Sequence, residues 1–321
     1  MTIDESGRPF LSVVVPVYLG ERCLAELHRR VVESATAMLA GKAFELILVD
    51  DASPDGSWER ARALASADAR VKALRFTRNF GQHHAITAGL RSSSGDWVVV
   101  MDCDLQDRPE DIPKLYEAAR AGYDCVVGLR ARSEDPLSRR LISRGFYALF
   151  GFLVGRAIDP RVGSFRIISR RAVDQYLELH ERVRLFGNLM EWLAFPTAHV
   201  DVSHDASARG FSSYTAGKLL KLAFESALLH SERLLRITVY GGFLCAAGSF
   251  GFGLYVFVGA LFHRSPIQGW TSLIVSIFFF SGVMITMLGL IGLYIGKTLE
   301  EIRARPFYVV RDSLNLPAGK R

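Results

Sequence analysis

The sequence predicts an α/β domain with a mostly parallel sheet, followed by interfacial helices and a two-helix transmembrane hairpin. Two observations predict the domain: short runs of Val, Ile, Leu and Phe alternate with helical stretches, and polar residues gather where those runs end. A third predicts the hairpin. Residues 237–262 and 265–296 carry no charge, and a bilayer core needs only about 20 apolar helical residues.

The elements follow in chain order. Residues 10–17, 44–50, 71–76, 96–101 and 123–128 read as strands buried on both faces, because they lack polar alternation. Between them, residues 22–39, 56–67, 83–90 and 109–121 read as helices, two of them opened by Gly or Pro. Strand–helix–strand order implies ligand binding at the carboxyl ends of the strands. There the chain places Pro16, Tyr18 and Glu21, then the run from Asp50 to Gly56, then Asp102, Cys103, Asp104, Leu105, Gln106 and Asp107. The hairpin closes the order, with Pro266 and Gly269 at the turn side of its second span.

Composition narrows the function classes. The chain has 321 residues, 50% hydrophobic and 22% charged, which excludes simple disorder. Its mean hydropathy is +0.18 in spite of 39 basic and 33 acidic residues, so the apolar surplus is concentrated. Lys218, Lys221, Arg233 and Arg236 precede the hairpin and Lys297, Arg303, Arg305 and Arg311 follow it, whereas the turn offers His263 and Arg264. That bias places both termini and the α/β domain in the cytoplasm, on a multi-pass protein of the inner membrane. Residues 1–10 are polar and acidic and the next apolar run is short, so no signal peptide is expected. The scattered Cys23, Cys103, Cys125 and Cys245 read as reduced thiols. A net charge of +6 suits an anionic membrane surface, and no nucleic-acid signature accompanies it.

Asp102 and Asp104 stand two apart beyond a strand. On an extended chain they point to one side and reach one hard cation, Mg²⁺ or Mn²⁺, with Gln106 offering a third oxygen. A cation so held completes its shell with substrate phosphates. His83 and His84 have no partner at metal-ligand spacing and read as packing and polar contacts at a helix start. Leu137, Leu141, Phe146, Leu149 and Leu153 recur at helical spacing with Arg139, Arg140 and Arg144 between them, which predicts an interfacial helix over about 137–155. Packing against the sheet or a partner subunit is the alternative for that helix. A second such segment runs over 219–235.

Five motifs in order resemble the GT-A glycosyltransferases of family 2: Val13 to Tyr18, Val49 to Ser57, Asn79 to Ile86, Asp102 to Asp107, and Gly163 to Arg166. Within that family the chain is similar to the polyprenyl-phosphate glycosyltransferases, through the hairpin and on to Pro306. The resemblance implies a Rossmann-like catalytic domain over 1–213, a juxtamembrane helix over 214–235, transmembrane helices over 236–297 and a cytoplasmic tail over 298–321. It implies transfer of one sugar from a nucleotide-diphosphate sugar to a polyprenyl phosphate of the cell envelope, by metal-dependent inverting displacement. Pro16, Tyr18, Glu21, Val49, Asp51, Asp102 and Cys103 are then expected to hold the nucleotide sugar, and Asp102, Asp104 and Gln106 the metal. Asp104, Arg130, Ser164 and Arg166 form the expected catalytic set. Arg209, Tyr214 and Lys218 are expected at the lipid phosphate, with Arg209 and Lys218 standing in for basic residues that the family carries where this chain has Ser207 and Ser213. Ser164 replaces the acid proposed as general base in bactoprenol glucosyltransferases, and Gly20 stands where the family usually has an acid. Two rivals remain. A processive polysaccharide synthase needs a Q-x-x-R-W motif, which is absent, and a non-catalytic scaffold has no use for the paired carboxylates. Small residues such as Gly241, Gly248, Gly282, Gly289 and Gly292 suit a homo-oligomer.

Overall fold

A computed structural model describes residues 9–130, 161–181, 184–203, 269–303 and 305–316, with Tyr240, Leu244, Gly248 and Gly251. The chain divides into two compact units. The first comprises Met1–Asp135, Asp159–Ser213 and Arg305–Arg321, and the second Pro136–Ile158 and Tyr214–Ala304.

The first unit opens with β1 (Leu11–Val17), α1 (Leu24–Leu39), β2 (Phe44–Asp50), α2 (Ser57–Ala67), β3 (Val71–Phe76), α3 (Gln82–Ser92) and β4 (Trp97–Val100). A 3₁₀ turn, Pro109–Asp111, leads into α4 (Ile112–Ala119) and then β5 (Cys125–Arg130). All five expected strands and four expected helices of this region are present, 44–50 and 71–76 matched at both ends and no end shifted by more than three residues. Elements without a forecast follow: β6 (Val162–Ser169), α5 (Arg170–Glu178), α6 (Phe186–Trp192) and β7 (Thr197–Val202).

The sheet order is β7-β5-β6-β4-β1-β2-β3-β8, where β8 (Val310–Leu314) comes from the end of the chain. Strands β4, β1, β2 and β3 are parallel, while β6 and β8 run antiparallel to their neighbours. The sheet is therefore mixed, and the segment expected as a tail supplies one edge. Side-chain alternation divides the core. Leu11, Val13, Val15 and Val17 meet α1, α2 and α4 on one face, whereas Val14, Ile47 and Val49 meet α3, α5 and α6 on the other. From β1 the chain proceeds outward to β2 on one side, and β4 lies on the other, so a crevice opens at the carboxyl ends of β1 and β4.

In the second unit, α7 (Trp270–Ile302) runs 33 residues, about 50 Å at 1.5 Å per residue. Leu273, Ile277, Met284, Leu288, Ile291 and Ile295 are exposed along it. The described residues establish no membrane span. Most of the expected first span, both interfacial segments, and Arg209, Tyr214 and Lys218 lie outside the described residues; Tyr240, Leu244, Gly248 and Gly251 are helical.

Candidate active site

The loops that leave β1, β2 and β4 each bend through a non-glycine residue in the left-handed region: Leu19 at φ 56°, Ala52 at 52° and Leu105 at 62°. Each such residue costs roughly 1–2 kcal/mol, so three in adjacent loops mark strain concentrated at the crevice. The first two loops are laced together. Gly20 donates its N–H to Ser57 Oγ at 2.9 Å, Glu21 donates its N–H to Asp55 Oδ2 at 3.3 Å, and Gly56 donates to Glu21 Oε2 at 3.2 Å. A Cβ on Gly56 would fall 2.6 Å from Glu21 Oε1, so the carboxylate sits where only glycine leaves room. Glu21, expected at the nucleotide, here braces one loop against the next.

Asp51 ties in a third loop. Its buried carboxylate accepts the N–H groups of Phe80 at 2.7 Å and Gly81 at 2.8 Å, with Gly81 at φ 99°. Burial raises its pKa and these two bonds oppose the rise. Pro16 and Val49 pair in register across β1 and β2, and both are buried. Val49 belongs to the core, so its side chain closes the floor of the crevice rather than lining an open pocket. Tyr18, at 40% exposure, stands free above them.

The acidic segment departs from its forecast geometry. Strand β4 stops at Val100, and Cys103 to Gln106 form a turn, so no strand alternation aligns Asp102 with Asp104. Asp104 instead accepts the N–H of Gln106 at 3.1 Å within the turn. Cys103 is 1% exposed; a Cβ on Gly20 would lie 3.1 Å from its Sγ. The thiol packs in the core.

Asp102 is the hub. Its Oδ1 accepts Gln82 Nε2 at 2.7 Å and Ser164 Oγ at 2.8 Å, and Arg130 Nη2 lies 3.9 Å from its Oδ2. The same nitrogen is 3.6 Å from Asp107 Oδ1. Asp107 is fully buried, and burial first, then the neighbouring Asp102 charge, push its pKa up to about 6 against the pull of Arg130. Gln82 and Asp107 are site residues that the sequence reading passed over, although both stand inside quoted motifs.

Arg166 takes an unexpected place. It pairs in register with Val100 and Val127, is 3% exposed, donates from Nη2 to the carbonyl of Gly163 at 2.9 Å, and lies 4.9 Å from the centre of the Phe186 ring. Burial pulls its pKa down. This guanidinium underpins the strand that carries Ser164 and does not stand in the open crevice. His83 accepts the N–H of Phe186 at 3.4 Å and is held neutral, its pKa lowered by burial to about 4.

Among the described residues, no three His, Cys, Asp or Glu side chains group to hold a metal ion by themselves. Asp102, Asp104 and Gln106 offer hard oxygen atoms, a partial set that fits a divalent cation drawing its remaining ligands from phosphate and water.

A family model described as glycosyl transferase family 2 matches residues 12–177. An SfII prophage-derived bactoprenol glucosyl transferase of Shigella flexneri is 35% identical over 304 residues, covering 94% of this chain and 98% of that protein. An undecaprenyl-phosphate 4-deoxy-4-formamido-L-arabinose transferase of Pseudomonas aeruginosa is 38% identical over 306 residues, covering 94% of this chain and 89% of its own. Among solved structures, glucosyl-3-phosphoglycerate synthase of Mycobacterium tuberculosis in complex with phosphoglyceric acid superimposes at a TM-score of 0.46 with 20% identity, over 71% of this chain and 81% of that one.

Proposed function

This chain belongs to glycosyl transferase family 2, and from that premise we propose that it transfers one sugar from a nucleotide-diphosphate sugar to a polyprenyl phosphate. The observation that carries the reading is similarity along nearly the whole chain to two transferases whose names specify a bactoprenol and an undecaprenyl phosphate. The crevice supports it, because two carboxylates, an arginine and a hydroxyl meet at one sheet edge.

A phosphate monoester has a second pKa of about 6 and reaches the site mostly as a dianion, so attack on the anomeric carbon requires no general base. Ser164 in place of an acid agrees with that chemistry. The protein's task is alignment and charge compensation. Asp102, Asp104 and Gln106 would hold Mg²⁺ or Mn²⁺, which when bound neutralises the departing diphosphate. Arg130, beside Asp102, faces that diphosphate, and Gln82 and Ser164 fix the Asp102 carboxylate from two sides. The displacement is a single inverting step. Tyr18 and Asp51 border the nucleotide, and Arg209, Tyr214 and Lys218 meet the lipid phosphate.

The acceptor places the enzyme at a bilayer. What supports a hairpin in the inner membrane is the absence of charge from 237–262 and 265–296 and the basic residues flanking both spans. The same bias puts the catalytic unit in the cytoplasm.

Transfer of radiolabelled sugar from a panel of UDP- and GDP-sugars into extracted polyprenyl phosphate tests the reading. A single-sugar lipid product is expected. Asp104→Asn should cut transfer at least 100-fold while the protein stays folded and membrane-bound. Longer products would identify a polymerase, and an inert wild type would leave only a scaffold. Full turnover by Asp104→Asn, or in EDTA, would remove the metal from the scheme.

A further inference from the structure

Arg130 reaches Asp102 from the end of β5, which β6 separates from β4, and two features of the crevice determine where its guanidinium lies. The first is Asp107, whose Oδ1 is 3.6 Å from Arg130 Nη2, nearer than the 3.9 Å to Asp102 Oδ2. The left-handed turn at Leu105 folds the chain back so that Asp107 is buried beside the site while Asp102 stays partly open. The second is Gly163. A Cβ there would lie 2.9 Å from Arg130 Nη2 and 3.1 Å from both Cζ and Nε, so the guanidinium lies flat against backbone that has no side chain. Between β5 and β6 the register shifts between Val127 and Leu129, opposite residues 163–165, and that irregularity brings Gly163 under the arginine and turns Ser164 to Asp102.

We propose that Asp107 and Gly163 are positioning residues for the transfer reaction, holding the Arg130 guanidinium beside Asp102 where the donor's diphosphate binds. This rests on the reading of Arg130 as the diphosphate-facing cation. Neither residue touches substrate. Asp107 anchors the guanidinium by charge from behind, and Gly163 leaves the surface on which it rests. Simple electrostatics makes the opposite forecast for Asp107, because removal of a nearby negative charge should strengthen binding of an anion. A loss of anion binding on neutralisation is therefore a signature that positioning produces and bulk charge does not.

The test uses the full chain in detergent and magnesium pyrophosphate as probe, with affinity read by calorimetry, sugar transfer measured in parallel and folding followed by thermal melting. Arg130→Ala should weaken pyrophosphate binding at least tenfold. Asp107→Asn should weaken it by a comparable factor, and the Arg130→Ala/Asp107→Asn double variant should bind no more weakly than Arg130→Ala alone, as coupled residues do. Gly163→Ala meets only the movable end of a side chain, so it should melt near wild type yet lose affinity like Asp107→Asn. It decides the matter if Asp107→Asn does not fold. Unchanged binding in Arg130→Ala would overturn the phosphate role of Arg130, and this inference with it. Weak binding in Arg130→Ala combined with unchanged or tighter binding in Asp107→Asn and Gly163→Ala, or with losses that multiply in the double variant, would overturn positioning alone.

Discussion

His83 shows at the scale of one residue how packing determines ionisation. Its ring accepts the Phe186 N–H, and burial, with His84 and Arg166 nearby, lowers its pKa from 6.5 to about 4. The unfolded chain therefore takes up a proton that the folded chain refuses between those two values. Stability contributed by the neutral ring is complete above pH 6.5 and is lost as pH falls toward about 4, by about 3 kcal/mol when titration is complete. His83→Gln retains an acceptor for Phe186 but does not titrate. Denaturation midpoints at pH 7, 5.5 and 4 should fall more steeply for wild type than for His83→Gln, and parallel curves would show that another group governs acid sensitivity. Motif order made the residues around His83 legible in the sequence. Their roles were less so: Glu21 and Cys103 belong to quoted or adjoining motifs, yet one braces a loop and the other fills the core. Side-chain direction in a turn depends on φ values such as that of Leu105, which composition does not encode.

Among the elements, α3 packs closely on the sheet. A Cβ on Gly89 would come 2.3 Å from Val14 Cγ1, so the helix backbone lies directly on β1. Alanine in place of this helical glycine adds roughly 1 kcal/mol of intrinsic helix preference, but overpacking costs about 1–3 kcal/mol and displaces the helix whose first residue, Gln82, holds Asp102. Gly89→Ala should therefore lower the thermal midpoint and reduce transfer together. Gly89→Ala/Val14→Ala should regain part of both, and a Gly89→Ala protein as stable as wild type would show that α3 can shift freely. Elements of this kind were legible because buried parallel strands and their helices each carry a continuous apolar signal. Strands β6 and β7 were not. The first has Gly163, Ser164 and Arg166 within it, and the second, Thr197–Val202, is mostly exposed or half-buried, so neither reads as a buried run. Arg166 resembles a loop cation in sequence and becomes a buried strand residue because Phe186 and the Gly163 carbonyl receive its guanidinium.

Over the whole molecule the chain leaves the first unit for the second twice, and on its second return it completes the sheet from which it started. The returning residues read as a polar tail because only five of them form a strand, and antiparallel pairing with β3 depends on partners more than 200 residues earlier. Their attachment is specific. Thr77 donates its N–H to the carbonyl of Val309 at 3.0 Å, the Tyr308 ring stacks on Phe76 at 5.0 Å, and the Arg184 guanidinium lies 4.9 Å from the centre of the Phe307 ring. Asn315 Nδ2 donates to the carbonyls of Ala65 at 2.6 Å and Val71 at 2.8 Å, which joins the end of α2 to the start of β3. Without this strand β3 would become an open parallel-sheet edge, with unpaired backbone groups and the Phe76 face uncovered. Asn315→Ala leaves two carbonyls without their donor and should cost about 1–3 kcal/mol, read as a lower denaturation midpoint. Deletion of residues 307–321 should cost more and add self-association, visible as earlier elution in size-exclusion chromatography. Should both variants melt and elute as wild type does, β8 is dispensable to the sheet, and the fold of the first unit ends at β3.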